Sequence, residues 1–406
     1  MIQSIAVIGA GTMGAGIAQL AAMNGCAVHL LDVQTELVQR GIENIKRNLN
    51  RGVEKGKLSE ADRNAALDLV IPVDTKAKGC LPTDVELVIE AVVEVLEIKQ
   101  DVFKKLDAAT RPKTVLATNT SSLSVSRIAE AVRDPSRVVG MHFFNPAPLM
   151  PLVEVIAGRT SAQWAIDAAV QAAKSWDKIA VVAKDTPGFI VNRVARGYYL
   201  EALRLLDEGV AGVDEIDNIM RVHGGFKMGP FELMDLVGLD VNLAVSTSVW
   251  EQMNKHPRFT PHDIQKKLVA DGHLGRKTNR GFYSYADGHS LPAFSVDRRS
   301  FQLSPLLRDA VRTFAERAGA AQAGITEQYV VARLLGAILN EAAIAFGENV
   351  ATREDIDTAM VKGTNYPKGP MAWIDEIGPR TIRGVLKGLN TSAAPGRFEP
   401  AALISE

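Results

Sequence analysis

The chain has 406 residues, of which 47% are hydrophobic and 23% are charged. This apolar content can offset the entropy lost on ordering, so the composition excludes a mostly disordered chain, and the length predicts about two to four domains. The 46 Lys and Arg residues and the 47 Asp and Glu residues give a net charge of −1. That balance excludes an overall basic field that would hold nucleic acid or an anionic membrane.

The cysteines and the apolar runs favour a reducing compartment. Cys26 and Cys80 lie far apart and belong to no Cys/His cluster, so we expect neither a disulfide nor a metal site, and both thiols should be buried. No apolar run approaches the ~20 residues that a membrane-spanning helix needs, and the N-terminus lacks the basic start of a signal peptide. We therefore expect a cytosolic protein without a membrane partner, and no fused hydratase domain ahead of the first strand.

The chain begins with alternating strand and helix patterns. The apolar run Ile5–Ile8 predicts a buried parallel strand, and Ala15–Asn24 predicts a helix. A glycine turn with the sequence Gly-Ala-Gly-Thr-Met-Gly, residues 9–14, separates them, and a second strand over Ala27–Leu31 leads directly into Asp32. A strand, a glycine turn, a helix, a strand and an acid in this order are typical of a dinucleotide-binding fold.

Each part of this pattern can help to hold a dinucleotide. Gly9 permits the tight turn, Gly11 lets the backbone approach a pyrophosphate, and Gly14 lets the helix pack on the strand. The free N–H groups of the helix N-terminus attract phosphates. Asp32 can accept hydrogen bonds from both ribose hydroxyls and would repel a 2′-phosphate, which favours NAD over NADP; the alternative is a glycine turn without a ligand. The expected cofactor contacts are Gly9, Gly11, Thr12, Met13, Gly14 and Asp32.

A basic helical segment over Thr35–Lys57 follows. Two interpretations of its cations stay open: they form a solvated face, or they hold a phosphorylated substrate such as coenzyme A, for which Lys55 is the candidate residue. These cations are Arg40, Lys46, Arg47, Arg51, Lys55 and Lys57.

Polar residues follow the next two predicted strands. The strands cover Val85–Glu90 and Val115–Thr118, with a helix over Leu96–Ala109 between them. Because ligands bind at the carboxyl ends of parallel strands, the polar residues should lie near the cofactor, although such residues can also simply cap helices. These residues are Glu94, Asn119 and Ser121.

His142 and Glu154 are the candidates for acid–base chemistry. His142 follows a strand predicted over Arg137–Met141, where an imidazole can exchange a proton near neutral pH; a histidine satisfied within the core is the other interpretation. Glu154 stands in the apolar strand Leu152–Ile156, where a carboxylate is costly without a partner. His142 is the nearest suitable partner. Such a pair would fix the imidazole tautomer and raise its basicity.

Five motifs resemble those of L-3-hydroxyacyl-CoA dehydrogenases, in the same order and with similar spacing. They are the glycine turn at 9–14, Asn-Thr-Ser-Ser at 119–122, His-Phe-Phe-Asn-Pro at 142–146, Leu-Val-Glu-Val at 152–155 and Asp-Thr-Pro-Gly-Phe-Ile-Val-Asn-Arg at 185–193. A sixth motif, residues 275–283, departs from the family pattern at Asn279, where glycine is common. The resemblance covers residues 1 to about 285 and continues as a repeat beyond them.

The resemblance implies a fold and a division into domains. The expected fold is an α/β Rossmann-type doubly wound sheet followed by two all-α C-terminal domains of the 6-phosphogluconate-dehydrogenase type. The expected division is an NAD-binding domain over 1–184, a first helical copy over 185–285, a linker over 286–319 and a second copy over 320–400.

The resemblance also implies roles for individual residues. His142 would be the acid and base, Glu154 its partner, and Ser121 and Asn192 would bind the reacting oxygen of the substrate. The residues implied around the nicotinamide are Glu94, Lys99, Asn145 and Lys277. The implied reaction is NAD-dependent oxidation of a (3S)-3-hydroxyacyl-CoA, by a homodimer or a pseudo-dimeric monomer. A related dehydrogenase of a free hydroxy acid or sugar acid and a catalytically idle binding protein are the alternatives.

The C-terminal half repeats itself. Residues 189–238 and 329–378 align without a gap at an offset of 140, with 14 identities in 50 positions. The second copy has Ala332 at the position of Asn192, so we expect it to be structural and to pack on the first copy as a built-in pseudo-dimer.

Three expectations concern local structure in this half. A helix is predicted from Thr186, as its cap, and Pro187 to about Glu208, which places Asn192 one to two turns into it. The linker contains an amphipathic stretch. The tail after Asn390 is expected to be poorly ordered.

Overall fold

The computed structural model describes residues 2–73, 84–286, 290–392 and 396–405. The chain divides into two compact units, Met1–Phe189 and Ile190–Glu406. Cys80 lies outside the described residues. Cys26 is 3% exposed, and its Sγ lies 3.2 Å from Nε1 of Trp176, so the expectation that this thiol is buried is confirmed.

Eight strands form one sheet within the described part of the first unit. They are β1 (Ser4–Ile8), β2 (Ala27–Leu31), β3 (Val70–Pro72), β4 (Leu87–Glu90), β5 (Val115–Thr118), β6 (Val138–Phe143), β7 (Leu152–Ala157) and β8 (Ile179–Lys184). Their order is β3-β2-β1-β4-β5-β6-β7-β8, and every neighbouring pair is parallel except β6 and β7. The Rossmann-type sheet is therefore confirmed, and β2 and β5 have the predicted bounds.

Helices flank this sheet and bury its faces. They are α1 (Thr12–Met23), α2 (Thr35–Glu54), α3 (Glu60–Asp68), α4 (Leu96–Ala109), α5 (Val125–Ala129) and α6 (Gln163–Ser175). Apolar side chains of β1, β2 and β4 pack with α1 and α6 in one core, which includes Val7, Ile17, Leu30 and Ile89. α1 begins three residues before the predicted start, because Thr12 and Met13 already have helical backbone.

The predicted helix start at Thr186 and Pro187 is wrong. A turn occupies this position, with positive φ values at Gly188 (+77°) and Phe189 (+48°). The chain becomes helical at α7 (Val191–Val194), which is followed after Ala195 by α8 (Arg196–Asp207). A proline can begin a helix only if the residues after it have right-handed helical backbone, and the left-handed Gly188 and Phe189 do not. Asn192 is therefore the second residue of a short helix rather than one to two turns inside a long one.

The described part of the second unit is helical, with one small hairpin. Its remaining helices are α9 (Val213–Val222), α10 (Pro230–Val237), α11 (Leu239–Gln252), α12 (Asp263–Ala270), α13 (Pro305–Arg317), α14 (Ile325–Gly347), α15 (Arg353–Thr364), α16 (Pro370–Ile377), α17 (Pro379–Ser392) and α18 (Ala402–Ser405), and the hairpin pairs β9 (Tyr283–Ser284) with β10 (Leu291–Pro292).

The repeat in the sequence is also a repeat in the structure. α9, α10 and α11 begin at residues 213, 230 and 239, and α15, α16 and α17 begin 140 residues later, at 353, 370 and 379. In each copy one buried or half-buried aspartate accepts two backbone N–H groups at the next helix N-terminus. Asp217 accepts from Phe231 and Glu232, both at 2.9 Å. Asp357 accepts in the same way from the first turn of α16, at 2.6 and 3.1 Å.

Reciprocal ion pairs join the two copies. Arg193 of the first copy lies 2.6 Å from both Glu341 and Glu348 of the second. The equivalent Arg333 lies 2.9 Å from Glu201 and 2.5 Å from Glu208. Each contact therefore has a counterpart at the same offset of 140, as in a symmetric dimer in which residue i contacts j and j contacts i.

Two expectations for the ends of the second copy need revision. The amphipathic stretch expected within the linker 286–319 is confirmed as α13, whose Leu307, Val311 and Phe314 are buried, so this segment packs as a helix rather than only connecting the copies. The expectation of a poorly ordered tail is wrong for residues 396–405. Phe398 is 2% exposed and Ile404 is fully buried, because the tail packs back on the helical unit.

α14 corrects the expectation about apolar runs. Its 23 residues are long and apolar enough to cross a membrane by length and composition. However, 78% of its apolar window is buried inside the protein. It also carries Arg333 and Glu341, which form buried ion pairs. These are the features of a core helix, which passes the same test of length and hydropathy.

Candidate active site

The glycine turn between β1 and α1 has an open backbone at its centre. Gly9 has φ +103°, and a Cβ atom there would lie 2.6 Å from the carbonyl oxygen of Ala91. A Cβ at Gly14 would lie 1.8 Å from the carbonyl oxygen of Gly9. At Gly11 it would meet no atom of the described residues within 4 Å. A pyrophosphate can therefore approach the backbone at Gly11, where α1 begins without a side-chain cap.

Asp32 is held in place beside this turn. Its Oδ2 accepts the N–H of Ala10 and its Oδ1 accepts the N–H of Val33, both at 2.7 Å. Each oxygen keeps a lone pair for a ribose hydroxyl, and the fixed negative charge opposes a 2′-phosphate. Thr12 is exposed and Met13 is half-buried in the first turn of α1. The turn, the free helix N-terminus and the acid together fit NAD.

His142 and Glu154 form a buried hydrogen-bonded pair. They face each other across the antiparallel strands β6 and β7, and Nδ1 of His142 lies 2.7 Å from Oε2 of Glu154. Glu154 is fully buried and His142 is 6% exposed. The predicted pairing is thus confirmed. Because a carboxylate can only accept, the bond assigns a proton to Nδ1 and leaves Nε2 as the nitrogen that can take a proton from a substrate.

Aromatic side chains pack around the imidazole. The ring of Phe144 lies 4.6 Å from the ring of His142, and that of Phe189 lies 5.9 Å from it, centroid to centroid. Phe189 belongs to the left-handed turn at the end of the first unit. These rings and the hydrogen bond to Glu154 limit the orientations that the imidazole can adopt. The sequence motifs contained both phenylalanines, but their contacts with His142 could not be predicted from spacing.

Glu94 organises the loop that follows β5. Its Oε1 accepts the N–H of Ser121 at 2.9 Å, the N–H of Ser122 at 3.1 Å and the hydroxyl of Thr120 at 2.5 Å. Burial opposes ionisation of Glu94, but the Lys99 ammonium at 3.3 Å and the Thr120 hydroxyl outweigh it, so the pKa of Glu94 lies below its ordinary value. The loop that carries Ser121 is therefore fixed by an ionised carboxylate.

Two further polar contacts connect the strand ends. Oδ1 of Asn119 accepts the N–H of Phe143 at 2.9 Å, which ties the end of β5 to the residue after His142. Nζ of Lys99 lies 2.6 Å from Oε1 of Glu90, and both residues are buried. Lys99 thus contacts two carboxylates, Glu90 and Glu94. Sequence reasoning missed Glu90; an acid that ends an apolar strand was the available signal.

Two of the remaining predicted site residues belong to the first unit and two to the second. Asn145 is exposed directly after β6 and Phe144, and Lys55 is exposed at the end of α2. In the second unit, Asn192 is half-buried in α7. Nζ of Lys277 lies 2.5 Å from Oδ1 of Asp240. Their roles toward cofactor or substrate stay predictions.

The departure of the sixth motif from the family pattern has a simple physical basis. Asn279 adopts φ +56° in the left-handed region. Glycine and asparagine are the residues that adopt this conformation most readily, so the turn is preserved despite the substitution. As for metals, the described residues contain no group of three His, Cys, Asp or Glu side chains that could hold an ion.

Comparisons with known proteins agree with this geometry. The family model for the 3-hydroxyacyl-CoA dehydrogenase NAD binding domain matches residues 4–186. The model for the C-terminal domain of the same enzymes matches residues 188–285 and again 329–406. These matches together span most of the chain.

Individual relatives cover either the whole chain or its first two thirds. The 3-hydroxyadipyl-CoA dehydrogenase of Escherichia coli (strain K12) is 37% identical over 100% of this chain and 97% of its own length. The 3-hydroxybutyryl-CoA dehydrogenase of Clostridioides difficile is 40% identical over 69% of this chain and 99% of its own length. A crystal structure of 3-hydroxybutyryl-CoA dehydrogenase from Escherichia coli K12 covers 100% of this chain and 98% of its own, with a TM-score of 0.88 at 35% identity. The chain belongs to the 3-hydroxyacyl-CoA dehydrogenase family.

Proposed function

We propose that this protein catalyses the reversible, NAD-dependent oxidation of a (3S)-3-hydroxyacyl-CoA to the 3-oxoacyl-CoA, with His142 as general acid and base. The observation that carries the assignment of His142 is its buried pair with Glu154, 2.7 Å apart at the end of β6. NAD, when bound, accepts the hydride from C3 of the substrate. Nε2 of His142 takes the hydroxyl proton in the oxidation and returns it in the reduction.

Glu154 supports this proton transfer through charge. When Nε2 takes the proton, the imidazole becomes a cation, and the buried carboxylate at 2.7 Å stabilises it. Inside the protein this stabilisation is stronger than in water, because few solvent dipoles screen the pair. Glu154 also holds the proton on Nδ1 before the reaction, so the ring presents its free nitrogen at every turnover.

Two further residues are proposed to bind the reacting oxygen. The family resemblance assigns this role to Ser121 and Asn192, whose hydroxyl and amide groups can donate hydrogen bonds to an oxygen that gains negative charge. Support for Ser121 comes from the fixed loop that carries it, since Glu94 accepts its backbone N–H at 2.9 Å. Lys55, exposed at the end of α2, is proposed to contact a phosphate of coenzyme A.

The test is a comparison of His142→Gln with the unaltered protein. We expect turnover to fall by roughly 10²–10⁴-fold, the typical contribution of a general acid or base, with little change in NAD affinity. NADH absorbance measures turnover, and calorimetric titration measures NAD binding. Activity near that of the unaltered protein would remove His142 from the mechanism.

The choice of substrate distinguishes the alternative function. A dehydrogenase of free hydroxy acids would reduce acetoacetate as readily as acetoacetyl-CoA. We expect reduction of the CoA ester and little or none of the free acid, measured with the same protein under the same conditions. Comparable rates on both would favour the free-acid alternative, and no turnover of either would favour a catalytically idle protein.

We also infer that the second copy takes the place of a partner subunit. The resemblance implies that single-copy relatives pair through their helical domains, and the reciprocal contacts of Arg193 and Arg333 join the two copies here with the pattern of a symmetric dimer. The protein should therefore sediment as a monomer. We also propose that it is located in the cytosol. A truncated chain that ends at residue 286 should associate or unfold. A truncated chain that stays monomeric and equally stable would contradict the inference.

A further inference from the structure

Arg196, the first residue of α8, is a buried cation without an anionic partner. It is 4% exposed, and its guanidinium lies 4.9 Å from the ring centroid of Tyr199. No carboxylate of the described residues pairs with it. The other buried arginines of this unit do have carboxylate partners: Arg193, Arg204 and Arg333.

The hydrogen bonds of Arg196 go to neutral oxygens. Nε donates to the carbonyl oxygen of Asn192 at 2.8 Å, and Nη1 donates to the carbonyl oxygen of Asn242 at 3.3 Å and to Oγ of Ser246 at 2.9 Å. Nη2 donates none of the hydrogen bonds found among the described residues. It is not among the polar atoms that are sealed from solvent without a partner. The N–H groups of Nη2 are therefore the ones left for a further acceptor.

A cation in this environment is expensive unless an anion joins it. Transfer of a charged group out of water costs several kcal/mol even after relaxation, and dipoles of neutral oxygens recover only part of this. Burial lowers the pKa of the Arg196 guanidinium, which shows the same cost. An anionic ligand beside Nη2 would complete the site.

The second copy shows that the fold does not need this cation. At the offset of 140, the positions of Arg196, Asn242 and Ser246 are occupied by Gly336, Ile382 and Leu386. Ile382 and Leu386 are fully buried, and a Cβ at Gly336 would lie 3.7 Å from Cδ2 of Leu386. The same helices thus pack there through apolar contacts alone. The polar set is present only in the copy that carries Asn192.

We propose that Arg196 binds the distal carboxylate of a dicarboxylic 3-hydroxyacyl-CoA and so selects diacid over monoacid substrates. This proposal rests on the function proposed above, in which Asn192 binds the oxygen on C3. The guanidinium contacts the backbone of Asn192 itself. In a six-carbon diacid the terminal carboxyl carbon lies about 4 Å from C3, at about 1.5 Å per bond. Nη2, whose N–H groups are not used by the hydrogen bonds above, would donate a charge-assisted hydrogen bond to that carboxylate.

A phosphate of coenzyme A or of NAD is the other anion that this guanidinium could bind. Every acyl-CoA substrate carries the same phosphates, whatever its acyl chain. A phosphate contact would therefore affect diacid and monoacid esters equally, whereas a carboxylate contact would affect only the diacid. The ratio of the two specificity constants separates these sources.

The experiment measures kcat/KM of the full-length protein for (3S)-3-hydroxyadipyl-CoA and (3S)-3-hydroxyhexanoyl-CoA, which have six carbons each. The unaltered protein should prefer the diacid. In Arg196→Met this preference should fall by roughly 10- to 100-fold, the usual value of hydrogen bonds to a charged group. Arg196→Lys keeps the charge without the planar fork and should retain part of the preference.

Each outcome decides between the proposals. A preference unchanged in Arg196→Met, or an equal loss on both esters, would overturn the carboxylate proposal; an equal loss with a raised KM would indicate a phosphate contact. If the unaltered protein oxidises the monoacid well but does not prefer the diacid, only this inference fails. If it oxidises neither ester, the proposed function fails.

A binding measurement covers the case in which Arg196→Met does not fold. Adipyl-CoA and hexanoyl-CoA lack the 3-hydroxyl group and cannot be oxidised at C3, so calorimetry can measure their affinities for the unaltered protein. We expect adipyl-CoA to bind more tightly. Equal affinities, or tighter binding of hexanoyl-CoA, would contradict the proposal without any variant.

Discussion

The two copies in the helical unit have the same scaffold and different polar residues. Both have the helix starts 140 residues apart and the arginine that pairs with two glutamates of the other copy. They differ where the first has Asn192 and Arg196, since the second has Ala332 and Gly336 there. The second copy therefore serves as a reference for the first. Residues retained in both copies serve the fold, and polar residues found only in the first copy are candidates for function.

The second copy has a structural role although it lacks these polar residues. Its identical positions include Glu341 and Glu348, which neutralise Arg193 of the first copy. Arg193 and Glu341 are both buried, so the second copy is linked to the first by an ion pair whose disruption is costly. We infer that the scaffold role of the second copy is independent of the chemistry of the first.

The reciprocal arginines provide the largest expected effect. Arg193→Met and Arg333→Met should each lower the free energy of unfolding by about 3–5 kcal/mol, because each breaks a buried ion pair with a glutamate of the other copy and leaves that carboxylate only partly neutralised. Urea unfolding followed by circular dichroism measures both. Arg353→Met is the control, since Arg353 pairs with exposed Asp375 and should cost about 0–1 kcal/mol.

Equal losses in the two variants would support the equivalence of the copies as scaffold. A loss in Arg193→Met that is several times larger than the loss in Arg333→Met would show that the second copy contributes little to the first. That outcome would contradict the claim that the two copies are structurally equivalent.

Asn192 tests the claim that polar residues found only in the first copy serve function. Asn192→Ala gives the first copy the residue of the second, and kcat should fall by roughly 10²–10³-fold if the amide stabilises charge on the reacting oxygen. Ala332→Ser, which places a polar group at the same position of the second copy, should leave kcat unchanged. Steady-state kinetics on an acyl-CoA ester measure both variants. A similar loss in both would indicate a general effect on the helical unit instead of a role for Asn192.

The residues at the strand ends could be predicted because parallel sheets place them together. Apolar runs predict β1, β2, β4 and β5, and the cost of a carboxylate among aliphatic residues predicts the pair of Glu154 with His142. His142 of β6 and Glu154 of β7 are direct cross-strand partners, so their side chains lie on the same face of the sheet. β3 and β8 were missed because β3 has three residues and the edge strand β8 leaves Ile179 and Lys184 exposed.

What could not be predicted depended on contacts between distant segments. The hydrogen bonds of Glu94 to residues 120–122 and the pair of Glu90 with Lys99 need the sheet to form first. The helix start at Thr186 failed for a local reason. Its cap and proline signals were outweighed by the turn at Phe189, whose ring packs near His142. The environment of Arg196 likewise required α11, which is more than 40 residues away in sequence.

The pH dependence of stability provides a further test at Glu201. Burial alone would raise its pKa, but Arg204, Arg333 and Arg397 surround it and lower the pKa from 4.5 to about 2. Because the unfolded chain then binds the proton more readily, Glu201 stabilises the protein above pH ~4.5, and this contribution is lost as the pH falls toward ~2. Glu201→Gln should remove about 3 kcal/mol at neutral pH and flatten the pH dependence of stability within that window.

Urea unfolding at a series of pH values between about 2 and 4.5 measures how the free energy of unfolding changes with pH. Glu341→Gln is the matched variant in the second copy, where two arginines instead of three approach the carboxylate. At neutral pH we expect a smaller loss of stability there than in Glu201→Gln. A pH dependence in Glu201→Gln as steep as that of the unaltered protein would show that other carboxylates control acid unfolding.

The smallest expected effect lies at the end of the first long helix in each copy. Gly209 and Asn349 occupy equivalent positions with φ +70° and +55°. A Cβ at Gly209 would lie 2.5 Å from the carbonyl oxygen of Asp297, so Gly209→Asn should cost about 1–2 kcal/mol although asparagine tolerates this backbone. Asn349→Gly should change the free energy of unfolding by only a few tenths of a kcal/mol. Thermal and urea unfolding of both variants measure the difference, and equal effects would mean that residues 297–299 do not restrict the first copy.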